Sequence, residues 1–511
     1  MPAPTELRRG IRSGPATFTV SATSDVSTAI ILSDLFEGLV TTSPDGNIAP
    51  GAALKWSVSE DGLVYRFTLR EGLYWSNGDP IIAQHFVDGL RHAVSPGSKV
   101  QRFDLFSRIA NAENIYNGIA AVDTLGIKAI DDQALEIRLV EPTPYFLEIA
   151  ATVVYAPEHP ENRKINVTNI ELVSQLITNG AYQIDTYSED KKITLSRNAR
   201  YWDVENVGYE KVTYQIEAQT DGEVDAYRRN ELDLTSSLTG IDYAVLRREF
   251  PDEFKVLPSF GTFALSFNTS QPPFDDVRLR QALSITLDRD AIANEFLNGA
   301  NPGAWGLIPP HNKNYKPHIY AWRKLPRNEQ LAIARSLYIE AGYSLENPLS
   351  FAIQAVEDAS YNEVIEEYRR QLKTHLGIET TITRLSWHEF LAEKGRGQAW
   401  KMSRLSVGGP YVDANSLLSS FLSENRFNPS LWKSKEFDAL LTSANLELNP
   451  KRRQLMLSDA ESLLMSSYPI VPVFFHVSKK LAKPHVGGEF GSIADIPLSR
   501  YLYPLPDTEN L

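Results

Sequence analysis

The chain is expected to be an α/β protein with helices and strands in layers, and three observations lead there. Segments with apolar residues at helical spacing alternate along the chain with segments of period two. One stretch, YNEVIEEYRRQLKTHLGIETTIT, holds both: Tyr361, Val364, Ile365, Tyr368, Leu372 and Leu376 share a helix face, and Gly377 supplies the stop. The chain then resumes as a strand through Ile378, Thr380 and Ile382, an αβ unit of the kind that stacks in layers. The third observation is bulk: 511 residues with 42% hydrophobic content fill large cores, enough for about two to four domains or lobes.

The elements follow in order. Residues 1–15, polar and carrying Pro2, Pro4 and Pro15, are expected to form a loose arm. SPDGN (Ser43 to Asn47) is a turn with Asp-Gly as its hairpin signal. LVYRFTLREGLYW (Leu63 to Trp75) alternates β-branched and aromatic residues and predicts hairpin strands. WSNGDP (Trp75 to Pro80) closes a second turn, with Asn77-Gly78 able to take positive φ. QHFVDGLRHAV reads as a helix with Phe86, Val87 and Leu90 inward and with His85 and His92 on two exposed turns. ALEIRLVEP (Ala134 to Pro142) predicts a half-buried strand through Leu135, Ile137 and Leu139. NEQLAIARSLYIEAGY predicts a helix capped by Asn328, with Leu331, Ala334, Leu337 and Ala341 on one face and Gly342 at the stop. No internal repeat or low-complexity segment interrupts the pattern.

Composition narrows the function classes. A net charge of −13 argues against nucleic acid as a partner, because phosphate contacts need a basic surface. The absence of cysteine excludes disulfides, thiolate metal sites, Cys nucleophiles and N-terminal thiol lipidation in the chain as given. No apolar run is long enough to span a membrane as a helix. MPAPTELRRGIRSGPATFTV lacks the apolar core of a secretory signal, so composition leaves two options: a cytoplasmic protein, or one whose signal was removed.

Reactive motifs are missing. There is no G-x-x-x-x-G-K-[ST] and no G-x-S-x-G. HEFLAE at His388 starts like a zinc helix but lacks the second His, and the nine histidines are scattered. GRGQAW (Gly395 to Trp400) lacks the third glycine and preceding strand of a dinucleotide fingerprint, and reads as loop. SEDK at Ser188 matches S-x-x-K by composition only, and carboxylate pairs among 64 acidic residues arise by chance. The expectation is no enzyme, no cofactor and no metal.

Seven segments carry a different signal in colinear order: LSDLFEGLVTTSPDGNIAPGAALKW, FTLREGLYWSNGDPIIAQHFV, IKAIDDQALEIRL, NGAYQI, LSRNARYWD, FDDVRLRQALSITLDRDAI and IVPVFFHVSKKLAKPHVGG. Together they resemble the extracellular solute-binding proteins of oligopeptide and dipeptide importers, the family that also holds murein-peptide and nickel binders. The resemblance implies a three-lobe periplasmic-binding-protein (Venus-flytrap) fold. Lobe I would take 1–36, 157–258 and 477–511, an inserted lobe II 37–156, and lobe III 259–476. A two-strand hinge is then expected near 259–262 and 475–477, closing around ligand for an ABC permease with its ATPase subunits. It also implies a periplasmic, monomeric protein with its signal removed.

The family's ligand loop reads roughly G-W-x-A-D-Y, its Asp pairing with a peptide's α-ammonium. Aligned here, SVGGPY puts Val407 at the Trp, Gly409 at the Ala and Pro410 at the Asp, and keeps Tyr411 after Ser406 and Gly408. Proline offers neither charge nor N–H, and an unpaired buried ammonium costs several kcal/mol. The ligand is therefore expected either to lack a free α-amine or to find another carboxylate. Asp413 is one candidate, unless it simply caps the helix of ANSLLSSFL; Asp25, with Val26 and Ser27 at a segment resembling a ligand-contacting strand end, is another. Gly408 and Gly409 remove bulk and suggest a wide pocket. By the resemblance Arg404 sits under the pocket and Lys394, with Arg396 nearby, meets a carboxylate; the alternative is an ordinary basic surface loop. Trp387 is either an apolar pocket wall or a core residue, and Phe475 and His476 fall at the second hinge crossing. Murein-derived peptides, rich in carboxylates and amide-linked at their alanine nitrogen when sugar-bound, fit this set. General oligopeptides come next, followed by opine, sugar or metal-chelate ligands and a ligand-presenting receptor.

Overall fold

The computed structural model describes residues 5–164, 173–189, 191–239, 243–297, 299–310, 315–357, 361–396, 400–488, 490, 493 and 496–506. Its first strand corrects an expectation. Glu6–Ile11 is no loose arm: Leu7 and Ile11 are buried, and the strand lies parallel to Lys211–Ile216 with Glu6 opposite Lys211. Arg9 holds it there from within. Its buried guanidinium donates to Tyr214 Oη (2.9 Å) and the Pro497 carbonyl (2.9 Å). Burying the charge is tolerable because those acceptors replace water.

Two compact units emerge: Met1–Ile241 with Leu246–Leu257 and Ser478–Leu511, and Asp242–Val245 with Pro258–Val477. Two of the boundaries fall inside long strands, Phe254–Phe267 and Ile470–Leu481. The first unit carries a four-stranded sheet ordered Glu6–Ile11, Lys211–Ile216, Lys192–Arg197, Tyr182–Ser188. A second four-stranded sheet runs Ala53–Val58, Val64–Leu69, Ala134–Arg138, Ile127–Asp131. In Ala134–Arg138 Leu135 and Ile137 are fully buried as expected, but Glu136 between them is buried as well, because Arg66 and Lys128 on neighbouring strands cover and pair its carboxylate.

The helix Ala83–Val94 buries Phe86, Val87 and Leu90. Its histidines are not on exposed turns, however. His85 Nδ1 accepts from Trp75 Nε1–H (3.1 Å), and His92 Nδ1 meets Glu158 (2.9 Å). The WSNGDP turn folds the buried Trp75 back against the first turn of this helix, which the local pattern could not announce.

The second unit is built on a five-stranded sheet ordered Glu379–Leu385, Ser350–Val356, Met402–Gly408, Phe254–Phe267, Ile470–Leu481. The αβ unit forms as expected: the helix Asn362–Leu376 buries Val364, Ile365, Tyr368, Leu372 and Leu376, and Gly377 caps it at φ 70°. Tyr361 differs, since it stands before the helix in left-handed backbone (φ 68°). The helix Arg327–Glu340 starts one residue before Asn328, after Pro326, whose fixed φ suits a helix entry. Its buried face runs through Gln330, Ala334 and Tyr338 rather than Leu331 and Leu337, because Tyr338 and Gln330 anchor it by hydrogen bonds to Leu349 N and Leu325 O.

Candidate functional site

The strand Met402–Gly408 pairs antiparallel with Phe254–Phe267, Phe263 facing Ser406 and Gly261 facing Gly408. Alternation therefore sorts the loop residues named from the sequence. Arg404, Ser406 and Gly408 lie on one face, and Val407 falls on the other and is buried. Ser406 Oγ hydrogen-bonds His476 Nε2 at 2.8 Å. The His476 ring has room because Gly261 lies beneath it: a Cβ there would come within 2.8 Å of His476 Cδ2.

Beneath this polar pair is a stack of rings. Phe263 and Phe474 are parallel at 4.9 Å, and Tyr361 meets Phe263 at 5.2 Å and Phe474 at 4.9 Å. His476 stands edge-on to Phe474 at 5.9 Å, and the Arg404 guanidinium lies 5.8 Å over Phe263. Phe263 and Phe474 are fully buried, whereas Tyr361, Arg404 and His476 are partly exposed. The left-handed backbone of Tyr361 costs about 1–3 kcal/mol, and such strain concentrates at functional sites. Local sequence missed Tyr361, Phe263, Phe474 and Gly261, although the spacing of Phe474 and His476, and of Gly261 and Phe263, marks each pair as sharing a face. Phe475, on the alternate face, is held by its backbone, which bonds Pro302 O and Asn301 Nδ2 at 2.9 Å each.

Past Gly408 the loop turns through Pro410 and Tyr411 into the helix Ala414–Leu418. Asp413 takes the capping role: its Oδ1 accepts from Asn415 N at 2.9 Å. Its carboxylate is also clasped by Arg453 Nη1 and Nη2 at 2.6 and 2.8 Å, in a pair that is almost wholly buried. A carboxylate so engaged is withdrawn from any ligand amine. Arg453, 40 residues further on, was invisible to local reading. Gly409 likewise has a packing role, since a Cβ would sit 2.0 Å from Ser416 Oγ; at Gly408 a Cβ would make only an ordinary contact, 3.8 Å from Phe260 O.

The remaining candidates divide. Trp387 is not a core residue: it is 61% exposed and stacks on Phe390 at 5.9 Å. Gly395–Arg396 closes the helix Trp387–Arg396 rather than opening a loop. The side chains of Lys394 and Arg396 lie outside the described residues. In the first unit Asp25 caps the helix Val26–Leu35, its carboxylate accepting from Thr28 N (2.8 Å) and Thr28 Oγ1 (2.6 Å). Val26 is 65% exposed and Ser27 half-exposed. No group of metal-ligating side chains occurs among the described residues, and no described helix is long and apolar enough to cross a membrane.

Residues 47–429 match the family model of bacterial extracellular solute-binding proteins, family 5 (middle). The chain belongs to that family. It is similar to a probable deoxycholate-binding periplasmic protein, YgiS, of Escherichia coli K12, 31% identical over 486 residues (94% of this chain, 90% of the relative). The periplasmic oligopeptide-binding protein OppA of the same organism is 31% identical over 471 residues (90% and 84%). Among solved structures, the periplasmic murein tripeptide binding protein MppA in its unliganded open form superposes with a TM-score of 0.87 at 28% identity, covering 98% of this chain and 97% of that one.

Proposed function

We propose that this family member is the periplasmic substrate-binding component of an ABC importer, and that its ligand is a carboxylate-bearing, peptide-type solute lacking a free α-amine. The observation that carries the reading is the pairing of Pro410 with the fate of Asp413. The position for an amine-binding carboxylate holds an imino acid, and the nearest substitute is already neutralised by Arg453. Arg404 and the Ser406–His476 pair present donors to an anion, and Gly408 leaves room beside them. Murein-derived peptides still attached to a sugar, and so amide-linked at their first alanine, meet these requirements, and the likeness to a murein tripeptide binding protein is consistent with them. Hinge closure around ligand and delivery to a permease belong to this reading.

A second reading rests on the partly exposed rings of Tyr361 and His476, which are seated on the buried Phe263 and Phe474 beside Arg404. An apolar amphiphile with one carboxylate and no amine, such as the deoxycholate in the name of one relative, suits the same chemistry. The test is the mass of whatever small molecule leaves the purified protein on denaturation. Masses of murein tri- or tetrapeptides still joined to an anhydro-sugar, whose alanine nitrogen is an amide, are expected; sugar-free murein peptides, which carry a free α-amine, would overturn the reading of Pro410. A bile-acid-like mass would favour the second reading. A ladder of ordinary peptides with free amines would overturn both.

A further inference from the structure

A cavity of about 350 Å³ opens in the second unit, and none of its lining residues belongs to the candidate site. It forms where the chain leaves the helix Val277–Thr286, between Leu287–Asn294, Trp305 and the start of the helix Arg327–Glu340. Its floor is rigid. Arg289 is buried and spends its guanidinium on the carbonyls of Ala304 (2.9 Å), Pro472 (2.8 Å) and Ser284 (3.1 Å), while lying 4.9 Å from the Trp305 ring. Arg327 is likewise committed, to Ile285 O (2.8 Å) and Gln330 Oε1 (3.1 Å). Asp288 caps Ala291 N at 3.0 Å and faces Arg327 Nε at 3.8 Å.

Two charges in the cavity have no such occupation. Arg323 is exposed and lies over Trp305, its guanidinium carbon 4.3 Å from the ring centroid. Among the described residues its guanidinium makes no hydrogen bond or ion pair, so its fork of donors is oriented by that contact alone. Asp290, also exposed, is the other: it lines the same cavity and pairs with no cation among the described residues. Opposite charges that share a cavity without pairing, beside an aromatic face, form a complementary frame for a small solute bearing both charges. The volume lies at the lower end of the range for small-molecule sites.

We propose that this cavity is a second ligand site, taking a free amino acid or dipeptide with its carboxylate on Arg323 and its ammonium on Asp290. The site is distinct from the candidate importer site, with which it shares no lining residue, and it would select for the α-amine that the ligand proposed there lacks.

The experiment is saturation-transfer NMR on the whole chain with free L-amino acids and dipeptides at millimolar concentration. Amino-acid amides and N-acetyl amino acids, each lacking one charge, serve as controls. Binding of the zwitterions is expected, weakened about tenfold or more by Arg323→Gln and by Asp290→Asn, and lost with either control compound. Both side chains are exposed, and an unchanged melting curve verifies the fold of each variant. Equal signals from wild type and both variants, equal binding of the N-acetyl compounds, or no signal at all would overturn the proposal. Arg404→Gln in parallel identifies any signal arising at the importer site.

Discussion

Pro410 and Asp413 show how one residue's meaning depends on its partners. Restoring the carboxylate with Pro410→Asp is expected to raise affinity for peptides with a free α-amine by about tenfold or more; calorimetric titration reads this directly, and no gain would sink the account of the proline. Asp413→Asn leaves the buried Arg453 guanidinium uncompensated and should destabilise the fold by about 3–5 kcal/mol in urea unfolding. An Asp413 that bound ligand instead would lose affinity with little loss of stability. The two adjacent glycines separate in the same way. Gly409→Ala collides with Ser416 and should cost about 1–3 kcal/mol, whereas Gly408→Ala makes only an ordinary contact and should stay within about 0.5 kcal/mol. Chemical denaturation of the two variants side by side checks both.

At the scale of the element, alternation along Met402–Gly408 decides which candidates share a face, and the helix Ala83–Val94 carries a proton-linked contact. Burial pushes the His85 imidazolium down from its ordinary range, and the neighbouring His159 adds to this. Because the folded pKa is depressed, the unfolded chain binds more protons below the ordinary histidine pKa of about 6.5. Stability contributed by neutral His85 is therefore present above that pH and is lost as pH falls through the ordinary value toward the depressed one. Protonation would also remove the acceptor that Trp75 uses. Calorimetric melts between neutral and mildly acidic pH should fall less steeply for His85→Gln than for the wild type; equal slopes would show that His85 is not the linked group.

For the whole molecule, a ligand that binds the folded chain and not the unfolded one adds RT ln(1 + [L]/Kd), about 2.7 kcal/mol at a hundredfold excess over Kd. Melts with the ligand identified by mass spectrometry should move upward with concentration by that logarithm. A shift that saturates early would mean that the unfolded chain binds it too. Trp75, Phe86 and Val87 are buried and serve as scaffold.

The sequence by itself determined the α/β class and the αβ unit ending at Gly377, which are written in spacing, and the family, which is written in seven colinear segments; at Pro410 it raised a question. It misplaced Glu6–Ile11, whose strand needs a partner 200 residues away to satisfy Arg9, and it misjudged His85 and the seam of Arg327–Glu340. Only the tertiary structure decided that Asp413 is neutralised by Arg453, that Gly261 seats His476, and that Tyr361 joins Phe263 and Phe474. These are contacts between residues tens to hundreds of positions apart. Local pattern records which face a side chain takes, but the partner that spends its charge is chosen by packing.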